Sequence, residues 1–294
     1  MTDDIYVGHQ NKSNRGILLA AVAVLAIVVG IVFLIWHRGG SKSESAEIEA
    51  TEVESAQPAT IDRGLSILTA ATQLQKDDKL LEARDKAYEV LAQSSNKSAR
   101  AGAESLLGNV NVLLILSPRP VPEKIEYTIQ PGDSINALAK KFGTTVDVIQ
   151  KGNRVTGSVI RPGDRLRILT GKFSIQVSKK DNSLVLLMND KFFKRYAVGT
   201  GEYGKTPVGS FIIRDRVPQP TWWKDGKAIP YGDTNNVLGT HWLALDVPGY
   251  GIHGTWQPDT IGKQASAGCI RLVNAEIEEL FTLVPVGTPV TITE

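Results

Sequence analysis

Cysteine is all but absent: Cys269 stands alone in 294 residues. That excludes an intramolecular disulfide and any zinc site built on several thiolates. Histidine is scarce too, with four in all, and His9 and His37 flank a long apolar run. No metal site is expected. Charge of one sign is also missing, since 33 basic residues stand against 31 acidic ones for a net charge of +2. Neither a nucleic-acid-binding surface nor a disordered polyelectrolyte fits that balance. The length allows about two domains plus tails.

Long hydrophobic runs are lacking with one exception, residues 16–36 (GILLAAVAVLAIVVGIVFLIW), which hold no charge. At about 1.5 Å per residue the run reaches roughly 31 Å, enough to cross a hydrocarbon core. The His37-Arg38-Gly39-Gly40 that follows lacks the small-residue pattern of a cleavage site, so an uncleaved transmembrane helix is expected. Lys12 and Arg15 balance Arg38 and Lys42, and the flanking charges give no orientation. Residues 37–59 are rich in Ser, Glu and Ala and read as a disordered linker. Residues 60–117 carry Leu and Ala at helical spacings, broken at Asn96, and read as a tetratricopeptide-like helical spacer closed by Pro118, Pro120 and Pro122.

Residues 125–169 predict a strand, two helices and a strand. Pro131-Gly132-Asp133 and Pro162-Gly163-Asp164 make turns, Asp133 or Ser134 caps the first helix, and Thr144 or Thr145 caps the second. The stretch YTIQPGDSINALAKKFGTTVDVIQKGN, followed by IRPGDRLRIL, resembles the LysM family over its whole length. The resemblance implies a module binding N-acetylglucosamine-containing glycans such as peptidoglycan, with Gly132, Asp133 and Ser134 as candidate glycan-binding residues. It also implies a position outside the cytoplasmic membrane.

Two nucleotide-like motifs lack their structural context. Gly199-x₄-Gly204-Lys205-Thr206 fits a phosphate-loop pattern, but Pro207 and a strand-forming run follow where a helix is required. Gly249-x-Gly251-x-x-Gly254 fits a dinucleotide fingerprint, but Thr255-Trp256-Gln257-Pro258 does not open a helix. No nucleotide partner is expected.

Residues 171–294 are strand-rich, with alternating apolar runs at 173–177, 184–188, 192–198, 208–214, 241–247 and 289–292. One helix follows Asn274, which is expected to cap it. Because its apolar pattern is its own, this stretch is expected to fold alone. A nucleophilic cysteine needs a nearby base, and His253 is the natural one for Cys269. Glycines around both residues allow close approach of backbone and substrate.

The segments TPVGSF, IPYGD, LGTHWLALDVPGYGIHGT, IGKQASAGCIRLVN and VPVGTPVTI, in that order, resemble the L,D-transpeptidase (YkuD-type) catalytic domain. The resemblance implies a mainly β catalytic domain, a β-sandwich with a helix, with Cys269 as nucleophile and His253 as general base. Arg271, Ser266, Gly268 and Gly254 are its supporting and oxyanion-hole positions. Many members carry histidine where this chain has Ala267. Tyr231, Trp256 and Gly251 are candidate substrate-binding residues, Trp222, Trp223 and Trp242 candidate walls of a groove, and His241 a strand or cleft histidine.

The implied reaction, which needs no cofactor or metal, is peptidoglycan cross-linking through a thioester on Cys269, from a stem tetrapeptide donor to an amine acceptor. An L,D-carboxypeptidase and a non-catalytic peptidoglycan-binding scaffold are the alternatives. The implied organisation is a cytoplasmic tail (1–15), a single-pass helix in the cytoplasmic membrane (16–36), and C-terminal domains on the periplasmic, cell-wall side.

Overall fold

A computed structural model describes residues 62–294. The expected transmembrane helix at 16–36 and the expected linker at 37–59 lie outside the described residues. Among the described residues, no helix is long and apolar enough to cross a membrane.

Three helices come first: α1 (Arg63–Lys76), α2 (Leu80–Gln93) and α3 (Lys97–Ile115). Asp62 Oδ1 accepts from the amides of Gly64 and Leu65 at 2.8 and 3.2 Å, and Asn96 Oδ1 accepts from that of Ala99 at 3.0 Å. These side chains satisfy amides that a helix start leaves without partners. The buried faces, including Ala83, Ala87, Val90, Leu107 and Leu114, continue into the core of the strand-rich region.

The βααβ unit follows as β1 (Lys124–Thr128), α4 (Ile135–Phe142), α5 (Val146–Asn153) and β2 (Arg165–Leu169), the two strands antiparallel. Ser134 caps α4 and Thr145 caps α5, their hydroxyls accepting from Ala137 N and Val148 N. The unit has its own small core of Ile129, Ile135, Leu138, Ile149, Leu166 and Ile168. Thr145 Oγ1 also donates to the carbonyl of Thr282 at 2.5 Å, and Lys151 Nζ lies 3.1 Å from Thr282 Oγ1. The unit is thereby fastened to a late helix of the strand-rich region, α6 (Asn274–Leu283).

The strand-rich region is built on one eight-stranded sheet in the order β13-β11-β10-β7-β14-β3-β4-β5. Its members are β3 (Phe173–Ser178), β4 (Ser183–Met188), β5 (Lys191–Ala197), β7 (Gly209–Pro218), β10 (His241–Leu245), β11 (Gly251–His253), β13 (Ile270–Arg271) and β14 (Pro289–Thr293). Short ribbons lie outside it: β6 (Thr200–Gly201) with β12 (Gln264–Ser266), and β8 (Trp222–Lys224) with β9 (Lys227–Ile229).

The expected sandwich is instead a single curled sheet. The ten-residue β7 pairs with β14 through Gly209–Ile212 and with β10 through Ile213–Pro218, so one long strand serves both halves. Just beyond β5, Gly199 exchanges amide–carbonyl bonds of 2.8 and 2.9 Å with Arg271 of β13, drawing the two ends of the sheet together. Alternation along a strand tells which residues face inward, not which strand is its neighbour.

The helices do not stand off as a separate arm. Tyr88 Oη donates to Phe192 O at 2.8 Å, and Asn111 Nδ2 to Phe193 O at 2.9 Å, satisfying carbonyls of the terminal strand β5. Glu104 pairs with Arg195 at 2.7 Å on the same strand. An open edge is covered in this way. The expectation that residues 171–294 fold alone therefore meets a shared core: the described residues, 62–294, belong to one compact unit.

Candidate active site

Strand register assembles the site. Trp242 of β10 is the partner of His253 on β11, and His253 is the partner of Arg271 on the parallel β13. Side chains at paired positions share a face, and residues two apart on a strand share it too. Cys269 directly precedes β13 and lines one cavity with Trp242, the strand partner of His253. Gly251 keeps that face clear: a Cβ there would lie 2.5 Å from the Trp242 indole. The indole instead stacks on the imidazole, with ring centroids 5.5 Å apart and planes at 23°.

His253 is buried, only 2% exposed. Its Nδ1 is 2.6 Å from the carbonyl of Gly254, which can only accept, so Nδ1 carries the proton and Nε2 is left as the base. Burial pulls the imidazole pKa down to about 4, a fall that the Gly254 carbonyl opposes and the Arg271 charge reinforces. Cys269 is half-buried, its Sγ 3.5 Å from the carbonyl of Gly249. Burial pushes the thiol pKa up, against the Gly251 amide and the Arg271 charge, which pull it down. Both shifts disfavour the charged forms, favouring a neutral thiol and a neutral imidazole.

Each predicted supporting residue has a definite place. Ser266 Oγ donates to the carbonyl of Cys269 at 2.7 Å and accepts from the Gly268 amide at 3.0 Å. The Gly268 amide thus has a partner within the loop. Among the described residues, the Cys269 amide meets no backbone acceptor. Gly268 sits at φ +139°, where a Cβ would lie 2.8 Å from the Tyr250 ring. Arg271 is half-buried with its Nε buried and unpartnered among the described residues.

A cavity of about 320 Å³ opens beside Cys269, walled by Pro220, Trp222, Trp223, Leu238, Trp242 and Gly249. Three of the four candidate tryptophans line it. Trp256 and Tyr231 form a separate tilted pair, with ring centroids 6.3 Å apart, and are not in its wall. Gly251 serves packing, as described. His241 points the other way, its ring 4.4 Å from that of Phe281 on α6.

Asn274 does not cap α6. The cap is Val273, and Asn274 Oδ1 accepts from the Thr240 amide at 3.2 Å, where a Cβ on Gly254 would lie 2.2 Å from it. The phosphate-loop pattern forms β6, a 3-10 turn (Glu202–Gly204) and then β7, so it opens no helix. In the glycan candidates, Gly132 takes φ +88° in the turn. Asp133 accepts from Tyr127 Oη and Gln130 N, and Ser134 caps α4, so both side chains hold the turn.

These features place a cysteine, a buried histidine and an arginine around one aromatic-walled cavity on a curled β-sheet. Residues 172–292 match the family model of the L,D-transpeptidase catalytic domain, and residues 127–169 that of the LysM domain. A Bacillus licheniformis protein named as the L,D-transpeptidase YkuD is 33% identical over 175 residues, covering 57% of this chain and 98% of that protein. The Bacillus subtilis protein YqjB, also named as an L,D-transpeptidase, is 38% identical over 132 residues, covering 43% of this chain and 74% of that one. The catalytic domain of an Enterococcus faecium L,D-transpeptidase, solved by NMR, matches at 25% identity with a TM-score of 0.36, over 42% of this chain and 97% of that one. The chain belongs to the L,D-transpeptidase family, with a LysM domain preceding the catalytic domain.

Proposed function

We propose that the protein cross-links peptidoglycan through a thioester on Cys269. As Sγ attacks the carbonyl preceding the terminal D-amino acid of a stem tetrapeptide, its proton passes to His253 Nε2. The carbonyl oxygen becomes an oxyanion, with the Cys269 amide as donor and the Arg271 charge favouring it. Collapse breaks the amide C–N bond, and the imidazolium returns the proton to the departing D-alanine. An amine of another stem then attacks the thioester, loses a proton to His253, and releases the thiol, which regains that proton.

The observation that carries this reading is that Cys269 lines one cavity with Trp242, whose indole stacks on the His253 imidazole, while the Gly254 carbonyl holds Nδ1 and leaves Nε2 basic. The aromatic walls beside the sulfur favour an amine acceptor over water, so transpeptidation is preferred to carboxypeptidation. The LysM domain supplies peptidoglycan affinity, and the 16–36 run anchors the chain with residues 37–294 on the wall side. Incubating the protein with a tetrapeptide-bearing muropeptide and an amine acceptor, followed by mass analysis, tests the reaction. Cross-linked product with release of D-alanine is expected; tripeptide alone identifies a carboxypeptidase, and unchanged substrate a scaffold. An alkaline phosphatase fusion after residue 60 should be active, and an inactive fusion would overturn the topology.

A further inference from the structure

We infer that Thr206, on the loop before β7, is the positioning residue that aims the Cys269 amide at the developing oxyanion. The inference rests on the acyl-transfer reading above and deepens it. Thr206 is 1% exposed, and its hydroxyl is used in both directions. It accepts from the Gly201 amide at 2.7 Å and donates to the Gly268 carbonyl at 2.8 Å. The peptide joining Gly268 to Cys269 is planar and trans, so its carbonyl and its N–H point in opposite directions. Holding the carbonyl on Thr206 therefore fixes the line along which the Cys269 N–H projects.

Ser266 holds the next peptide in the same way through the Cys269 carbonyl. The nucleophile thus sits between two peptide planes pinned by two hydroxyls, one of them from a distant strand connection. Close packing leaves the arrangement little play, since a Cβ on Gly201 would lie 2.8 Å from Gly268 Cα. Thr206 does not touch the thiol or the imidazole by any hydrogen bond, so its effect runs through the peptide plane.

Three variants test this: Thr206→Val, which keeps the shape and removes the hydroxyl; Thr206→Ala, in case valine prevents folding; and Thr206→Ser, which restores the hydroxyl. The measurements are the acylation rate at saturating carbapenem or tetrapeptide donor, its pH profile, the melting temperature, and the carbonyl stretch of the thioester. Losing a whole oxyanion donor costs about 10² to 10³-fold. A misaimed one should cost roughly 10 to 10²-fold, with an unchanged pH profile, a carbonyl stretch shifted to higher frequency, and recovery in Thr206→Ser. A merely structural role would lower the melting temperature without moving the carbonyl stretch, and that result would overturn the inference. So would a folded Thr206→Val or Thr206→Ala acylating at the wild-type rate. A wild type that forms no adduct overturns the acyl-transfer reading, and this inference with it.

Discussion

Lowering the pH should weaken the fold through His253 in a way that a single substitution isolates. Its pKa falls from an ordinary 6.5 to about 4 because the buried ring cannot readily carry charge. The unfolded chain protonates His253 at its ordinary value, whereas the folded chain resists until about pH 4. The contribution to stability is therefore fully present above about 6.5, is lost as pH falls through that window, and is gone below 4. At about 1.4 kcal/mol per pKa unit, the loss is about 3 kcal/mol. For a domain of this size that corresponds to about 6 to 12 °C in Tm. Other groups titrate in the same range, so the measurement is the difference between wild type and His253→Asn, whose amide N–H replaces the Nδ1 donor without titrating. Calorimetric melts from pH 7 to pH 4 should converge, with the wild type losing the larger amount. Parallel curves for the two proteins would refute the reasoning.

Further outcomes follow from the same geometry. The acylation rate should be flat between about pH 5 and 8 and fall below that with a midpoint about 4, while ultraviolet thiolate absorbance stays absent at neutral pH; a thiolate present at pH 7 would show a preformed ion pair instead. Asn111→Ala removes the donor to the buried Phe193 carbonyl and should cost about 1–3 kcal/mol in denaturant unfolding, whereas a change within 0.5 kcal/mol would mean that the helices do not seal β5. Gly251→Ala forces a methyl against the Trp242 indole and should cost about 1–3 kcal/mol while displacing the ring from His253; unaltered tryptophan fluorescence together with wild-type acylation would contradict the packing described.

Much of the fold was legible in local patterns. Alternation along 173–177 and 184–188 predicts β3 and β4, which form as Phe173–Ser178 and Ser183–Met188, and the hydroxyls of Ser134 and Thr145 mark the helix starts they cap. Partnerships between distant segments were not legible. The exchange between Gly199 and Arg271 leaves no periodic signal, so the sheet reads as a sandwich when it curls on itself. Asn274 has the chemistry of a cap, but its carbonyl oxygen is engaged by the Thr240 amide, and the helix is entered from Val273. Asp225-Gly226, between two short runs, was a usable hairpin signal for β8 and β9. At the site, Cys269 and His253 stand sixteen residues apart in sequence; the parallel pairing of β11 with β13, which Cys269 directly precedes, draws their segments together. Thr206 gives no sequence sign of its hydrogen bonds, because both partners are backbone groups, one on β6 and one on the loop before Cys269.

The most direct test is intact-mass analysis with peptide mapping after exposure to a carbapenem, on the wild type and on Cys269→Ser. Serine keeps the shape but lacks a sulfur to ionise. A single adduct mapped to Cys269 in the wild type, and none in the variant at any pH, is the predicted result. An adduct formed at the wild-type rate by Cys269→Ser, or one mapped to another residue, would contradict it.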